Sequence, residues 1–303
     1  MDYSKLVTEN RNEASMNLDE MSALDAAKLM NRMDAEVPAA VEKALPQIAE
    51  VVDHIVEAFR NGGRLIYCGA GTSGRLGVLD ASECLPTFGA GKDMVDSCIA
   101  GGTVALHTAV EGAEDDAKLG IEDVQRLNMS GRDVLVAISA SGSASYCAGA
   151  LEYAGSIGAY TAGVTCVPEP AFAPFCKTVI SAVVGPEILT GSTRLRAGTA
   201  TKMVLNMLTT ISMIRSGKVY KNLMVDMVPT NKKLEDRAIR IIRAATGVTR
   251  EMAEARLKLC GGNMKAAIVC CEAGVSPDEA RAALERNDGF VGRAIDDIRR
   301  EEL

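Results

Sequence analysis

The chain alternates short apolar runs with longer stretches in which apolar residues recur every three or four positions. Five apolar runs have the length of β-strands: residues 64–68, 94–99, 133–139, 160–165 and 179–184. Helical patterns lie between most of them, at residues 114–127, 144–156 and 197–216. Continuous apolar strands that alternate with helices predict an α/β fold with a parallel sheet covered by helices on both faces.

The two ends of the chain depart from this alternation. Residues 1–36 are polar and mixed, with a helix predicted over residues 22–34, and one long helical pattern then runs from residue 37 to residue 60. After residue 231 only short helical patterns occur, and glycines separate them. The sequence therefore predicts an N-terminal helical arm (1–36), a sheet domain (37–230) and a C-terminal module of three or more short helices (231–303).

Composition and charge exclude several classes of function. The formal net charge of −7 argues against a surface that binds nucleic acid. The nine cysteines form no CxxC pair, which is typical of small buried side chains in a reducing compartment. No apolar run reaches the roughly 18 residues that a membrane span needs, and the first residues lack the apolar core of a signal peptide. We therefore expect a cytoplasmic protein without nucleic-acid or membrane partners.

The strongest chemical signal follows the first predicted strand. Residues 65–68 run into Gly69-Ala70-Gly71-Thr72-Ser73-Gly74, and a helix-like stretch follows at residues 76–81. Backbone N–H groups at a helix N-terminus, together with the positive end of the helix dipole, attract an anion, most often a phosphate. We expect Gly71, Thr72, Ser73 and Gly74 to bind a phosphate. The alternative is a tight turn whose glycines serve close packing.

The same six residues match the GxGxxG pattern of dinucleotide-binding proteins. That pattern also requires an acidic residue at the end of the next strand, where it holds the ribose. Here the next strand ends in Cys98-Ile99-Ala100-Gly101-Gly102, without an acid. The pattern therefore favours a phosphorylated small molecule over a dinucleotide-dependent oxidoreductase.

A second segment rich in hydroxyls follows the strand at residues 133–139. It contains Ser139, Ser141, Ser143 and Ser145 immediately before or at the start of the next helix. Serines at helix starts are commonly N-caps, but four in seven residues exceed what one cap requires. Because the loops after parallel strands meet at one sheet edge, we expect Ser139, Ser141 and Ser143 to bind the same phosphate.

A third polar segment, residues 185–202, leads into the apolar helix at residues 197–216. It is either a loop that caps this helix or a source of positive charge for the phosphate. Ser192 and Lys202 are its candidate binding residues, and Arg194 and Arg196 are further cations. Arg75 is nearer in sequence, but an arginine at a helix start can simply be solvated.

Two glutamates are candidates for acid–base chemistry. Glu83 follows the first loop by one short helix, and the apolar neighbours at residues 84–88 would raise its pKa and suit an acid. Glu114 lies in the acidic cluster 111–116, which alternatively forms the charged first turn of the next helix. No His, Cys or Asp spacing predicts a metal site, so we expect no metal and no cofactor.

Four segments resemble the N-acetylmuramic acid 6-phosphate etherase family: residues 66–84, 111–115, 191–200 and 222–226; residues 6–12 also fit. The resemblance covers nearly the whole chain. It implies a sugar isomerase (SIS) fold, a C-terminal module similar to a ubiquitin-associated three-helix domain, and a homodimer with the site near the subunit interface. It also implies a lyase that cleaves N-acetylmuramic acid 6-phosphate to N-acetylglucosamine 6-phosphate and D-lactate.

The resemblance further implies a mechanism of elimination followed by water addition. Glu83 matches the acid of the family, and Glu114 matches its second catalytic carboxylate, with no metal required. The activity would serve N-acetylmuramate catabolism, as in peptidoglycan recycling or the use of external sugar.

The chain departs from the family pattern in its second loop. The family usually has Ser-Gly-Arg-Thr-Pro-Tyr, whereas residues 141–146 here are Ser-Gly-Ser-Ala-Ser-Tyr. The serines keep their hydroxyl donors, but an arginine and a proline are replaced. Two other functions on this fold stay open: an aldose–ketose sugar-phosphate isomerase, and a non-catalytic sugar-phosphate sensor. The sensor would resemble the glucokinase regulatory protein, which has two sheet domains in one chain.

Overall fold

Five parallel strands form the sheet of the first of two units. The structure, a computed structural model, describes residues 6–227 and 232–301. The strands lie in the order β2-β1-β3-β4-β5 across the sheet. Their bounds are β1 (Leu65–Gly69), β2 (Val95–Ile99), β3 (Val134–Ile138), β4 (Tyr160–Thr165) and β5 (Thr178–Ser181). The predicted α/β fold with a parallel sheet is confirmed.

The strands form where the sequence is continuously apolar. Every residue of β1 and β3 is buried, as expected for central strands of a sheet covered on both faces. Gly69, the last residue of β1, pairs with Ile99 of β2 and with Ile138 of β3. The three strands therefore end at the same level, and the segments that follow them begin side by side.

Helices precede the sheet, connect its strands and follow its last strand: α1 (Ala23–Asp34), α2 (Val37–Glu42), α3 (Leu45–Arg60), α4 (Gly71–Phe88), α5 (Ala117–Arg126), α6 (Ser145–Ser156) and α7 (Arg196–Arg215). The predicted helix at residues 22–34 is confirmed as α1, which Ser22 caps by accepting the N–H of Asp25. The single helix predicted over residues 37–60 is wrong. The chain breaks between α2 and α3 because Pro46, in the first turn of α3, has no N–H with which to continue the preceding helix.

The second unit contains Glu83–Gly91 and the described residues from Thr210 onward. A short antiparallel hairpin, β6 (Val219–Tyr220) and β7 (Leu223–Met224), precedes its helices. These are α8 (Lys232–Thr246), α9 (Arg250–Leu259), α10 (Met264–Ala273), α11 (Pro277–Arg286) and α12 (Val291–Glu301). The predicted helical module is confirmed, whereas the predicted domain boundaries at residues 36 and 230 stay predictions.

The helices of this unit pack around α10. Residues 264–270 of α10 are all buried, and all of them except Lys265 belong to one apolar cluster that also includes residues of α8, α11 and α12. Lys265 is buried there, and burial lowers its pKa. The carboxylate of Asp226, which follows the hairpin, accepts hydrogen bonds from Lys265 Nζ at 2.8 Å and Lys218 Nζ at 3.0 Å. This counter-ion makes the burial of Lys265 tolerable and anchors the hairpin to the bundle.

None of the helices in residues 6–227 and 232–301 is long and apolar enough to cross a membrane. Within the same ranges, no group of three or more His, Cys, Asp or Glu side chains is arranged to hold a metal ion. All nine cysteines lie in these ranges as thiols, and most are buried.

Candidate active site

The carboxyl end of β1 leads almost directly into the first turn of α4. Gly71 is the first helical residue and has a φ of +54°, a conformation that favours glycine. Thr72, Ser73 and Gly74 form the first turn, although the sequence predicted a loop here and a helix start at residue 76. The hydroxyls of Thr72 and Ser73 therefore lie at a helix N-terminus, where their side chains are partly buried.

Gly74 holds this helix end against the sheet. A Cβ atom on Gly74 would lie 2.5 Å from the carbonyl oxygen of Gly69 and 2.6 Å from Cγ1 of Ile99. Close packing, the alternative explanation for the glycines, therefore applies to Gly74. It is compatible with anion binding, because this packing is what places the first turn of α4 at the carboxyl edge of the sheet.

Alanine holds the N-cap position of both α4 and α6. The carbonyl of Ala70 accepts the first helical hydrogen bond of α4, and Ala144 precedes α6. An alanine side chain cannot accept the N–H groups of the first turn, so those that are not bonded within the turn, as the Cys147 N–H is to the Ala144 carbonyl in α6, remain available to a ligand. By contrast, Asp116 caps α5 by accepting two N–H groups. Two such helix starts, after neighbouring strands, suit the binding of an anion such as phosphate.

The loop between β3 and α6 presents two serine hydroxyls side by side. The Oγ atoms of Ser141 and Ser143 lie 2.7 Å apart, and both side chains are partly buried. Ser139 is buried, and its carbonyl accepts the N–H of Gly142 at 3.0 Å in a tight turn. The N-cap explanation for these serines is wrong, because the N-cap of α6 is Ala144.

Glu114 lines a cleft of about 180 Å³ that also contacts Gly71, at the start of α4. Its side chain is exposed, and it lies in a short 3-10 turn rather than in the helix predicted from residue 114. The residue of the acidic cluster that caps α5 is Asp116, which accepts the N–H groups of Lys118 and Leu119. The capping alternative therefore applies to Asp116 and not to Glu114.

Arg75 lines the same cleft. Its side chain is partly buried, and its Nε donates a hydrogen bond to the carbonyl oxygen of Leu106 at 3.2 Å. The sequence gives this arginine no site role, since arginines at helix starts are often solvated. The sequence signal that could have identified Arg75 is its spacing: it lies one helical turn after Gly71 and therefore at the same end of α4.

Comparison with known proteins identifies the family. The family model for the glucokinase regulatory protein N-terminal SIS domain matches residues 47–155. N-acetylmuramic acid 6-phosphate etherase 2 of Vibrio cholerae is 54% identical over 294 residues, which are 97% of this chain and 96% of the relative. The etherase of Photorhabdus laumondii is 51% identical over 299 residues, 99% of both chains. The chain belongs to the N-acetylmuramic acid 6-phosphate etherase family.

The sheet of this etherase-family chain is of the predicted SIS type. A phosphoheptose isomerase from Francisella tularensis matches it with a TM-score of 0.50 and 20% identity, over 64% of this chain and 100% of that chain. At this identity the likeness concerns the fold alone. Together with the matched family model, it confirms the SIS fold.

Glu83, the acid expected in an etherase, lies farther along α4 and belongs to the second unit. The sequence predicted apolar surroundings for Glu83, but its side chain is exposed. Burial on α4 follows the helical stripe of Gly77, Asp80, Cys84 and Phe88, and Glu83 lies off this stripe. Its catalytic role stays a prediction.

The segment before α7 does not offer a further anion site at the helix start. Glu187 is buried, and its carboxylate accepts the N–H groups of Arg196 and Ala197 at 3.0 and 2.9 Å. The Arg196 guanidinium is buried and donates to Glu36 at 2.7 Å. The expectation that Arg196 supplies charge to a phosphate is therefore wrong, because its charge is used within the fold.

The other candidates of this third segment have different surroundings. Ser192 is partly buried before α7, and Lys202 is exposed on α7. Arg194 is exposed. None of them lines the cleft that contains Glu114, and their proposed contacts with substrate stay predictions.

A buried carboxylate that the sequence does not single out joins α4 to α7. Asp80 accepts hydrogen bonds from the Tyr67 hydroxyl at 3.1 Å and from the Asn206 amide at 2.9 Å. Burial raises the pKa of Asp80, and hydrogen bonds from Thr209, Tyr67 and Asn206 oppose the rise. This network fixes α4 on β1 and α7, and so fixes the helix start that faces the cleft.

A larger cleft of about 580 Å³ opens at the opposite edge of the sheet. Val134 and Tyr160, the first residues of β3 and β4, line it, as do Arg132 and Lys177. It contains none of the predicted site residues. Ligands of parallel α/β sheets bind beyond the carboxyl ends of the strands, so the smaller cleft is the candidate active site.

Proposed function

We propose that this protein is a carbon–oxygen lyase that cleaves N-acetylmuramic acid 6-phosphate to N-acetylglucosamine 6-phosphate and D-lactate. Support comes from the etherase relatives, which are 51–54% identical over nearly the whole chain. The observation that supports the proposal most is that Glu114 and Gly71, the first residue of α4, line one cleft. A helix start for the phosphate and a carboxylate for proton transfer are what this reaction requires.

The proposed reaction is an elimination followed by an addition. Ring opening exposes the C1 aldehyde, which makes the C2 proton acidic. A base removes this proton, and the electron pair of the C2–H bond forms a C2=C3 double bond while the C3–O bond breaks. An acid protonates the departing lactyl oxygen. One water molecule then adds to the unsaturated aldehyde, placing its oxygen at C3 and a proton at C2.

Two carboxylates supply the acid and the base in this scheme. We assign the acid role to Glu83, and Glu114 is the second catalytic carboxylate that removes the C2 proton. The loss of the acid alone should stop lactate release and leave proton exchange at C2. Glu83→Gln should therefore keep C2 exchange in deuterated water, whereas Glu114→Gln should lose both activities.

The 6-phosphate is assigned to the first turn of α4 and to the loop before α6. The absence of a side-chain cap from Ala70 and Ala144 supports this assignment, as does the adjacent pair of serine hydroxyls. The proposed binding residues are Gly71, Thr72, Ser73, Gly74, Ser139, Ser141, Ser143, Ser192 and Lys202. Ser192 and Lys202 rest on the sequence of the third polar segment, and neither lines the cleft that contains Glu114.

We further propose that the enzyme acts as a cytoplasmic homodimer with its site near the subunit interface. Small-molecule sites bury most of the ligand surface, whereas Glu83 and Glu114 are both exposed in the single chain. A second subunit would provide the missing cover. Light scattering should give twice the chain mass of 31.9 kDa, and a monomeric mass for the active enzyme would contradict the dimer.

The activity is tested by coupling D-lactate release from N-acetylmuramic acid 6-phosphate to a D-lactate dehydrogenase. The purified protein should release D-lactate, and Glu114→Gln should lower the rate about 100-fold or more, the usual contribution of an acid or base. Asp115→Asn is the matched control, because Asp115 is an exposed neighbour that does not line the cleft. Binding without lactate would instead indicate a sensor, and a ketose product an isomerase.

A further inference from the structure

The proposed substrate carries two anionic groups, a phosphate on C6 and the carboxylate of the lactyl group. The helix starts of α4 and α6 account for the phosphate, but they leave the carboxylate without a partner. We propose that Arg75 binds the lactyl carboxylate and thereby distinguishes the etherase substrate from sugar phosphates that lack a lactyl group. This inference rests on the proposed function.

The position of Arg75 supports this role. Arg75 and Glu114 line the same cleft, so a substrate whose ether bond lies near Glu114 has its lactyl group within this cleft. The Arg75 Nε is held by the carbonyl oxygen of Leu106. Among the described residues, no carboxylate forms an ion pair with Arg75. The two terminal nitrogens of the Arg75 guanidinium are therefore available, and their paired N–H donors match the two oxygens of a carboxylate.

The charge of the cleft makes a cation necessary. Glu111 and Glu114 both line it, and two carboxylates would repel an entering lactyl carboxylate. Within the part of the chain that the structure describes, Arg75 is the one cation of the lining. It therefore compensates the charge that the leaving group brings into an acidic cleft.

The size and the remaining lining also suit a lactyl group. Pockets that enclose a whole small-molecule ligand have volumes of roughly 300–1,000 Å³, whereas this cleft measures about 180 Å³. It fits one substituent of the sugar rather than the entire substrate. Ala105, Ala109 and Val110 supply apolar surface in the same lining, as the lactyl methyl requires.

The test measures affinity, so that it does not depend on turnover. Dissociation constants for N-acetylmuramic acid 6-phosphate and N-acetylglucosamine 6-phosphate are measured by calorimetry on Glu83→Gln protein, with and without Arg75→Gln. Loss of the arginine should weaken binding of the lactyl sugar on the order of 10- to 100-fold and change that of the other sugar less than about threefold. Arg75→Lys should restore part of the difference, because it keeps the charge without the fork.

Arg132→Gln is the matched control, since Arg132 lines the cleft at the opposite edge of the sheet. Equal weakening of both sugars would place Arg75 at the phosphate and overturn the inference, as would no change for either sugar. If the native protein prefers the lactyl sugar through Arg75 but releases no lactate, the proposed function fails and the inference stands.

Discussion

Gly74→Ala probes the corner between β1 and α4 on which the candidate site depends. The added Cβ would lie 2.5 Å from the carbonyl oxygen of Gly69, and ordinary contact begins at 3.4 Å, so the helix start must move by about the 0.9 Å difference. Overpacking of this kind costs roughly 1–3 kcal/mol, and the upper half of that range applies because the contacted atom is backbone. Alanine favours the helix by about 1 kcal/mol relative to glycine, which offsets part of this cost and leaves a net destabilisation of about 1–2 kcal/mol.

The displacement should also weaken phosphate binding. A hydrogen bond of about 3.0 Å that is stretched by 0.9 Å is lost, and a hydrogen bond to a charged group contributes about tenfold or more in affinity. We therefore expect calorimetry to show about tenfold weaker binding of N-acetylglucosamine 6-phosphate. Urea unfolding followed by circular dichroism measures the stability change.

Gly155→Ala is the matched control. Gly155 is exposed in α6, and a Cβ there would meet nothing within 4 Å. The same substitution should stabilise the protein by about 0.4–1 kcal/mol and leave sugar-phosphate affinity unchanged. If Gly74→Ala matches Gly155→Ala in both stability and affinity, the argument that Gly74 sets the position of the helix start is refuted.

Three further predictions concern the second loop and two buried carboxylates. Ser141→Ala should raise the dissociation constant of a sugar phosphate about tenfold, whereas Ser156→Ala, at the far end of α6, should not; equal effects would contradict the loop assignment. Because burial raises the pKa of Asp80, its contribution to stability is full below the unfolded-state pKa of about 4 and is lost as the pH rises through the folded-state pKa. Asp80→Asn should therefore cost more stability at pH 4 than at pH 7 in urea unfolding, and the reverse order would refute this. Glu187→Ala leaves two buried N–H groups of α7 without an acceptor and should cost about 2–3 kcal/mol, so a loss below about 0.5 kcal/mol would contradict the capping role.

The strands could be predicted from the sequence because their burial is continuous. β1 and β3 are buried at every position, so their apolar runs are unbroken and bounded by polar residues or glycine. Helix α4 was harder to predict, since Gly71, Gly74 and Gly77 lower its helix propensity. Gly74 is needed for close packing against the sheet, and Gly71 adopts a positive φ where the chain turns from β1 into α4. Both requirements come from the tertiary structure and not from helix propensity.

The positions of the two hydroxyl-rich segments, after β1 and after β3, could be predicted from the sequence. The burial of the carboxylates could not. Asp80 and Glu187 are buried, whereas Glu83, which has as many apolar neighbours in sequence as Asp80, is exposed. Burial on a helix depends on which face meets the rest of the fold, not on the adjacent residues in the chain. Arg75 likewise gains its candidate role only from the cleft that tertiary packing creates.

The most direct test of the proposed reaction is the fate of the water oxygen. The purified protein is incubated with N-acetylmuramic acid 6-phosphate in ¹⁸O-labelled water, and both products are examined by mass spectrometry and NMR. Elimination followed by addition predicts one ¹⁸O atom at C3 of N-acetylglucosamine 6-phosphate and unlabelled D-lactate. Label in the lactate, or lactate release without label at C3, would contradict the account.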